Sequence, residues 1–489
     1  MTESVSRFSD AQRGGGELLA DGHARPASHV SHVTHASHGA SEAPFNAARE
    51  RELRHRMDAT RPTRLFHKVM ALTSAGVCVD AMDVYLAGGV KSTLVETGFA
   101  TTAQTATFLS AGFLGLFVGS LVAGLVGDLF GRRRAFQFNL LLFGFATILA
   151  ACSPTMGLVI AMRFAAGLGL GSELVTSFSM INEFAPVRSR GRWCAIASTI
   201  ANCGSPIAMF LCLLFITIWS PLGEASWRLV FVVIGILAIA VCIARQSMPE
   251  SPRWLIQHRR YDEAERIIAR IEAEMAAAGM QPATEVVREN ERMESDKHFG
   301  LYLFVGIVAV IGTSLTQYTY TTFGPSILKA VGLATKASLL STTITLLAAP
   351  LGALIGALLI ERLGRRAEIS GAFAWVAVFA AAYAFALGAG STALITFLGF
   401  MMTIGFYVLN ASVIGVYVGE LFSTKYRFRG AGVCQGAGKL VNVAMPFAVT
   451  WLLANVQPGA IYLAIVGVAV VAAVIVLALG PETRAKRLG

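Results

Sequence analysis

Charge is scarce in this chain. Only 14% of its 489 residues are Asp, Glu, Lys or Arg, against about 25% in soluble globular proteins. That shortage argues against a water-soluble globular fold, and 55% hydrophobic residues with a mean hydropathy of +0.61 point to a membrane protein. Paired cysteines are missing too. Cys78, Cys152, Cys194, Cys203, Cys212, Cys242 and Cys434 lie in or beside apolar stretches with no C-x-x-C pair. A disulfide framework or a thiolate metal site is therefore not expected, and the thiols read as small buried hydrophobes. A nucleotide loop is missing as well: the one G-x-G-x-G run, Gly167 to Gly171, follows no strand and sits inside an apolar span. No secretory signal is visible, so the first apolar helix would act as an uncleaved insertion signal.

What the chain has in abundance is apolar runs of about 20 residues, enough to cross roughly 30 Å of hydrocarbon as helices. Twelve are read, at 69–89, 106–127, 135–153, 157–181, 194–217, 228–248, 300–323, 339–360, 371–390, 393–417, 431–454 and 461–480. The net charge of +10 raises the question of nucleic acid, but the placement of the 40 Lys and Arg answers it. Lys91, Arg228, Lys329 and Lys336 fall in loops on one side, Arg163, Arg245 and Lys439 fall inside spans, and the others share the side of both termini. That asymmetry is the positive-inside pattern and predicts cytoplasmic termini.

The edges of these spans are punctuated twice. Gly127-Asp128-Leu129-Phe130-Gly131-Arg132-Arg133-Arg134 returns as Glu361-Arg362-Leu363-Gly364-Arg365-Arg366. Glu183-Phe184-Ala185-Pro186 closing on Arg190-Gly191 returns as Glu420-Leu421-Phe422-Ser423 closing on Arg429-Gly430, and Pro249-Glu250-Ser251-Pro252-Arg253 returns as Pro481-Glu482-Thr483-Arg484. Each recurrence is about 235 residues on, which marks a duplicated six-helix unit with a pathway between its copies. The fold class is thus an all-α membrane protein of twelve transmembrane helices in two homologous six-helix bundles. The expected boundaries are a disordered cytoplasmic tail at 1–66, bundles at 67–248 and 299–480, a cytoplasmic central loop at 249–298 and a short tail at 481–489. In the first tail His29, His32, His35 and His38 repeat every third residue; nothing fixes their geometry, and they read as low complexity. In the central loop, Arg and Glu at helical spacing predict a solvated helix over Tyr261–Ala278.

Twelve spans, a long central loop and these edge motifs resemble the major facilitator superfamily over residues 66–489. Gly127–Arg134 is similar to its most specific signature. Arg163-Phe164-Ala165-Ala166-Gly167-Leu168-Gly169-Leu170-Gly171, Glu183 to Arg192 and Pro249–Leu255 narrow the resemblance to the branch of sugar porters and organic-acid or metabolite:proton symporters. The resemblance implies a secondary active transporter working by alternating access, not an enzyme, with a small molecule and protons as partners. No cofactor, metal or nucleic acid is expected, and the chain would be a monomer in the cytoplasmic membrane.

An ionisable side chain at bilayer depth costs about 2.5–3.5 kcal/mol, so each one is a candidate for function. Asp80 and Asp83 stand three residues apart on one face of the first span. Two carboxylates there are candidates to take up and release a proton. The resemblance implies that Arg163 pairs with an aspartate at the position of Asp83, and that this pair responds to the proton. At the cytoplasmic edge Asp128, Arg132, Arg133, Glu183, Arg192, Glu250, Glu361, Arg365 and Glu420 are expected to form an ion-pair lattice that gates the inner mouth. Gln317, Tyr320, Tyr407, Asn410 and Lys439 are the candidate substrate groups, with Glu173 a weaker signal. Gly112, Gly115 and Gly119, with Gly167 and Gly171, predict close helix approach.

For the substrate, the resemblance would pair two glutamines with an asparagine near the seventh helix and a tryptophan in the tenth in a sugar porter. Here Gln317 is alone and 393–417 holds no Trp. With Arg163 and Lys439 as cations, an organic acid is favoured over a sugar or polyol. Efflux by proton antiport would carry Gly-Pro-x-x-Gly-Gly in the fifth helix, where Cys203-Gly204-Ser205-Pro206-Ile207-Ala208 stands instead. A ligand sensor would need a signalling module, and the first tail holds no recognisable one.

Overall fold

Each span ends where the chain supplies a cap or a turn. In the computed structural model Thr63 caps the first membrane helix by accepting from the Phe66 amide. Thr101 and Gln104 close the second with a reciprocal capping box at 3.2 and 2.9 Å. The structure describes residues 39–186, 189–282, 298–422 and 426–483; within these, the side chains of 39–46, 124–126, 128, 130, 361, 427 and 428 are outside the description. The histidine repeat and Arg188 therefore lie outside the described residues, as do the side chains of Asp128 and Glu361.

In chain order the helices are α1 (Gly39–Asp58), α2 (Arg64–Glu96), α3 (Thr102–Phe130), α4 (Arg132–Cys152), α5 (Met156–Phe184), α6 (Arg190–Ile218) and α7 (Gly223–Arg245). Two short helices follow, α8 (Pro252–Gln257) and α9 (Tyr261–Ala277). The second set is α10 (Phe299–Ala330), α11 (Thr335–Ile360), α12 (Arg365–Ala389), α13 (Thr392–Glu420), α14 (Arg429–Asn455) and α15 (Pro458–Leu479). Twelve of these are long and apolar enough to cross a membrane. All seven cysteines are free.

Within the first six-helix set α3 lies along α5, and α4 packs on α5 and α7; within the second, α12 lies along α15 and α10 along α14. The glycines make the first contact possible: a Cβ on Gly167 would stand 2.5 Å from the carbonyl oxygen of Gly112. The sets meet along three seams, α2 on α10, α3 on α14 and α6 on α11. First helix meets first helix, and second meets fifth in both senses, as a two-fold relation between duplicated units requires.

Two departures from the sequence reading follow from buried contacts. α2 runs to Glu96 rather than residue 89, because its polar last turns are covered; Lys91 is 4% exposed, with its ammonium 4.0 Å from the centroid of the Phe323 ring on α10, and is not a loop residue. Part of the stretch expected as unstructured is also helical. Residues 49–489 form one unit, and in it Leu53 and Met57, one turn apart on α1, are buried with Ile268, Ile271 and Met275 of α9. Arg49 reaches Asp262 and Glu265 at 2.6 and 2.8 Å, and Arg56 reaches Glu272 at 2.6 Å. The Arg49 hydrogen bond holds the Glu265 carboxyl below the usual carboxylate range. Leucine and methionine four apart in a charged segment are too sparse a signal to mark such a helix before its partner is known.

Candidate functional site

The first half carries a column of buried charge. Arg163 of α5 forms an ion pair with Asp83 of α2, and its other terminal nitrogen donates to the Asp83 carbonyl at 3.0 Å. Both side chains are buried. Gly112 makes room for the guanidinium, since a Cβ there would lie 2.8 Å from Arg163 Nε. Phe108 lies 5.5 Å from the Arg163 guanidinium carbon. A cavity of ≈ 10 Å³, about the room one water needs, lies between Gly112, Phe113, Leu170 and Arg163. Asp80 does not share Arg163. It is 2% exposed, and neither of its oxygens has a hydrogen-bond partner among the described residues. A second pair, unforeseen in the sequence, stands nearby: Arg245 at the end of α7 donates to Glu173 of α5 at 2.6 Å, both with fully buried side chains. Arg245 also donates to the carbonyls of Leu72 and Thr73 at 3.0 and 3.2 Å. The signal for this pair was present, as two ionisable residues at depth, but nothing in the spacing linked α5 to α7.

Between the halves lies a neutral polar cluster. Tyr85 of α2 and Tyr407 of α13 share a hydrogen bond of 2.5 Å, Gln317 of α10 donates to the Tyr85 hydroxyl at 3.4 Å, and Asn410 donates to Gln317 at 3.1 Å. The helix widens to π geometry at Asn410–Tyr417, a distortion that recurs at functional sites. Gln317, Tyr407 and Asn410 are thus brought together, with Tyr85 as a member the sequence reading missed. Tyr320 is not with them. It is buried in the second half against Tyr383, Phe406 and Tyr462, at ring distances of 5.7, 5.8 and 6.2 Å, its ring turned into this aromatic group although it stands only three residues from Gln317 on α10. Lys439 is half-buried on α14. It shares a helical face with Gly436, which approaches Phe117 of α3, and with Val443, whose carbonyl accepts from Ser110 of α3 at 2.8 Å. That face is turned to the first half.

The arginine-rich edge is built the same way twice. Arg132 donates to Glu183 at 3.1 Å, and Arg365 makes two bonds of 2.9 Å to Glu420. Glu250 of the expected lattice, and Glu482 at its repeat position, act differently from that lattice. Glu250 accepts from the Arg133 backbone amide at 3.0 Å, and Glu482 accepts from the backbone amides of Arg365 and Arg366 at 3.1 Å each. Each carboxylate caps the positive start of a helix. The glycine of each motif permits it: Gly131 and Gly364 have φ of 94° and 90°, ψ of 152° and 156°, and a Cβ would lie 2.6 or 2.9 Å from the capping carboxylate. Arg192 is exposed, and no ion pair among the described residues joins it to the expected lattice, whose Glu183 is held by Arg132. These ion pairs stay within one half. At the opposite end Lys329 of α10 pairs with Glu96 of α2 across the halves, and Thr335 donates to the same carboxylate at 3.4 Å. These contacts join the two halves at that end.

Known proteins share this fold. The profile described as Sugar (and other) transporter matches residues 55–489, and the chain belongs to that family. It is 30% identical over 441 residues to YdjK of Escherichia coli (strain K12), named for metabolite transport, covering 88% of this chain and 94% of that one. It is 27% identical over 435 residues to the niacin transporter NiaP of Acinetobacter baylyi (strain ATCC 33305 / BD413 / ADP1), covering 87% and 97%. In fold it matches the xylose transporter XylE from E. coli in a partially occluded inward-open conformation, with a TM-score of 0.71, 17% identity and 86% and 98% coverage. This chain is accordingly a multi-pass membrane transporter of the major facilitator fold, and not an enzyme.

Proposed function

We propose that this member of the sugar (and other) transporter family imports a small organic acid together with protons across the cytoplasmic membrane, by alternating access, as a monomer with both termini cytoplasmic. The observation that carries the reading is the buried Asp83–Arg163 pair. It stands beside a polar cluster shared by the two halves, Tyr85, Gln317, Tyr407 and Asn410. A pair of opposite charges in the dry interior is costly to keep and is expected at a site that changes charge or partner during the cycle. The link between Glu96 and Lys329 joins the halves at the end away from the arginine-rich edge, which supports opening at that edge in this state of the cycle.

The acid preference rests on cations. Lys439, on the face of α14 turned to the first half, offers an ammonium to a carboxylate, and among relatives NiaP is named for niacin, a pyridine carboxylate. A sugar reading is the alternative, supported by the neutral hydrogen-bonding cluster and by the fold shared with a xylose transporter. Counterflow in proteoliposomes decides between them, with labelled nicotinate and labelled D-xylose as probes of the two classes. Counterflow of nicotinate, raised by an inward proton gradient, is the expected result. Counterflow of xylose alone overturns the acid reading, and indifference of uptake to the gradient overturns the coupling.

A further inference from the structure

The buried charges of the first half do not balance locally. Three acids, Asp80, Asp83 and Glu173, face two arginines, Arg163 and Arg245, all five buried. Arg163 is committed to Asp83, through the side chain and the carbonyl. Arg245 is committed to Glu173, which also accepts from Ser177 at 3.0 Å. Asp80 is left over.

Its position is nonetheless specific. Gly76 lies one turn before Asp80 on α2, hence on the same face, and a Cβ on Gly76 would run into the Arg245 guanidinium and stand 2.9 Å from Glu173 Oε1. That face of α2 therefore looks onto the Arg245–Glu173 pair. The charged groups around Asp80 are Glu173 from α5, Arg245 from α7 and, on α2 itself, Asp83; the thiols of Cys78 on α2 and Cys203 on α6 are the other ionisable groups close by. The remaining buried cation of this half, Lys91, is about 16 Å further along α2 at 1.5 Å per residue, over Phe323. It does not offset Asp80. Both Asp80 oxygens, and Oε2 of Glu173, are buried with no hydrogen-bond partner among the described residues. An anion at Asp80 would face two neighbouring carboxylates, Glu173 and Asp83, with the Arg245 cation held by Glu173 and no hydrogen-bond donor to its oxygens among the described residues, whereas the neutral acid brings its own O–H to the site.

We propose that Asp80, seated against the Glu173–Arg245 pair, is the carboxyl that carries the proton, while Asp83 stays ionised against Arg163. The site lies about one helical turn nearer the arginine-rich edge than Asp83, away from the end where Glu96 and Lys329 join the halves. The step is a simple one: a proton from solvent water forms one O–H bond on an Asp80 oxygen, and the same bond breaks to return it to water. Glu173 and Arg245 are positioning residues. By holding each other, they keep Arg245 from neutralising Asp80. The inference deepens the proton-coupled reading and rests on it for its use in transport.

Its test needs no substrate. Infrared difference spectra of the purified full-length protein in lipid nanodiscs, taken across a titration around neutral pH, report the C=O stretch of a protonated buried carboxylic acid and its shift in D₂O. The wild type should show one such band. Asp80→Asn should lose it, and Asp80→Glu should keep it at a shifted position, which also shows that the site tolerates change and the protein folds. Glu173→Gln should lose the band as well, although Asp80 is untouched, because Arg245 then becomes available to Asp80 as an ion-pair partner. A band that survives Asp80→Asn, or survives Glu173→Gln unchanged, or is missing from the wild type, overturns the assignment. The expected pattern in a protein whose uptake ignores the proton gradient would establish the proton site and remove the symport reading, so the two can fail separately.

Discussion

The two halves of this transporter share their edges and differ in their middles. At the arginine-rich edge the same device appears twice, a glutamate accepting from the first backbone amides of a helix that follows a positive-φ glycine. At mid-depth the first half holds five buried charged side chains between α2, α5 and α7. The second half instead holds a cluster of tyrosines, Tyr320, Tyr383 and Tyr462, and the amides of Gln317 and Asn410. The lesson is a division of chemistry. The edges have the same chemistry in both copies, while the interiors differ, with buried charge in one and neutral hydrogen-bonding and aromatic groups in the other.

The sharpest way to break that comparison is at Asp83. Asp83→Asn leaves the buried Arg163 without its ion-pair partner and should for that reason abolish accumulation against a gradient while retaining exchange of substrate across the liposome membrane, whereas Tyr383→Phe in the second half should leave accumulation intact. Asp83→Glu, which keeps the charge opposite Arg163, serves as the folding control. Normal uphill uptake by Asp83→Asn would remove Asp83 from coupling.

Next comes the substrate side. If Lys439 bonds a substrate carboxylate, its loss removes about 1.5–3 kcal/mol, the range for hydrogen bonds to charged groups, or about 10- to 100-fold in the apparent constant. Lys439→Gln should raise the constant for nicotinate by that factor and leave a neutral sugar unaffected. Equal losses for both solutes, or none, would return Lys439 to a structural contact and leave the second half without its cation.

A smaller effect tests the shared edges. At φ near 90° with ψ near 150° the backbone is in a region essentially reserved for glycine, and a side chain there costs about 1–3 kcal/mol. Gly131→Ala and Gly364→Ala should therefore each lower the thermal stability of the purified protein by a similar amount and slow transport. Unequal effects would show that the two edges, though alike in geometry, do not bear the same load.

The smallest effect lies outside the membrane, where α1 is held to α9. Glu265 is kept below the usual carboxylate range by Arg49, so its contribution is present above the ordinary carboxylate pKa and is lost as pH falls through the depressed one. Hydrogen exchange in residues 49–58 should speed up on acidification into that range and stay flat from neutral to mildly basic pH. Exchange that accelerates on the basic side instead would contradict this pairing.

How much of this was legible beforehand follows from distance along the chain. The twelve spans, the duplication and the pairing of Asp83 with Arg163 were anticipated, the last through the resemblance of the Arg163–Gly171 motif. The Arg245–Glu173 pair was not, because hydropathy reports depth and says nothing of which neighbour a buried charge faces. Tyr320 was misplaced for a related reason: helical spacing puts residues on faces, but only packing against α12 and α15 says which face is core. Lys91 looked like a loop residue until α10 was seen covering the end of α2.

By itself the chain of residues determined that this protein spans a membrane twelve times, because unpaired backbone groups cannot be left in hydrocarbon and long apolar runs must therefore be helices. It determined the two-fold plan as well, since duplicated motifs at duplicated spacing fold alike. Only the tertiary structure decided which charges are partners, which polar groups meet between the halves and that Asp80 makes no ion pair among the described residues. Those contacts join residues 72 to 322 positions apart, and their energies depend on separations of a few ångströms that no local pattern encodes.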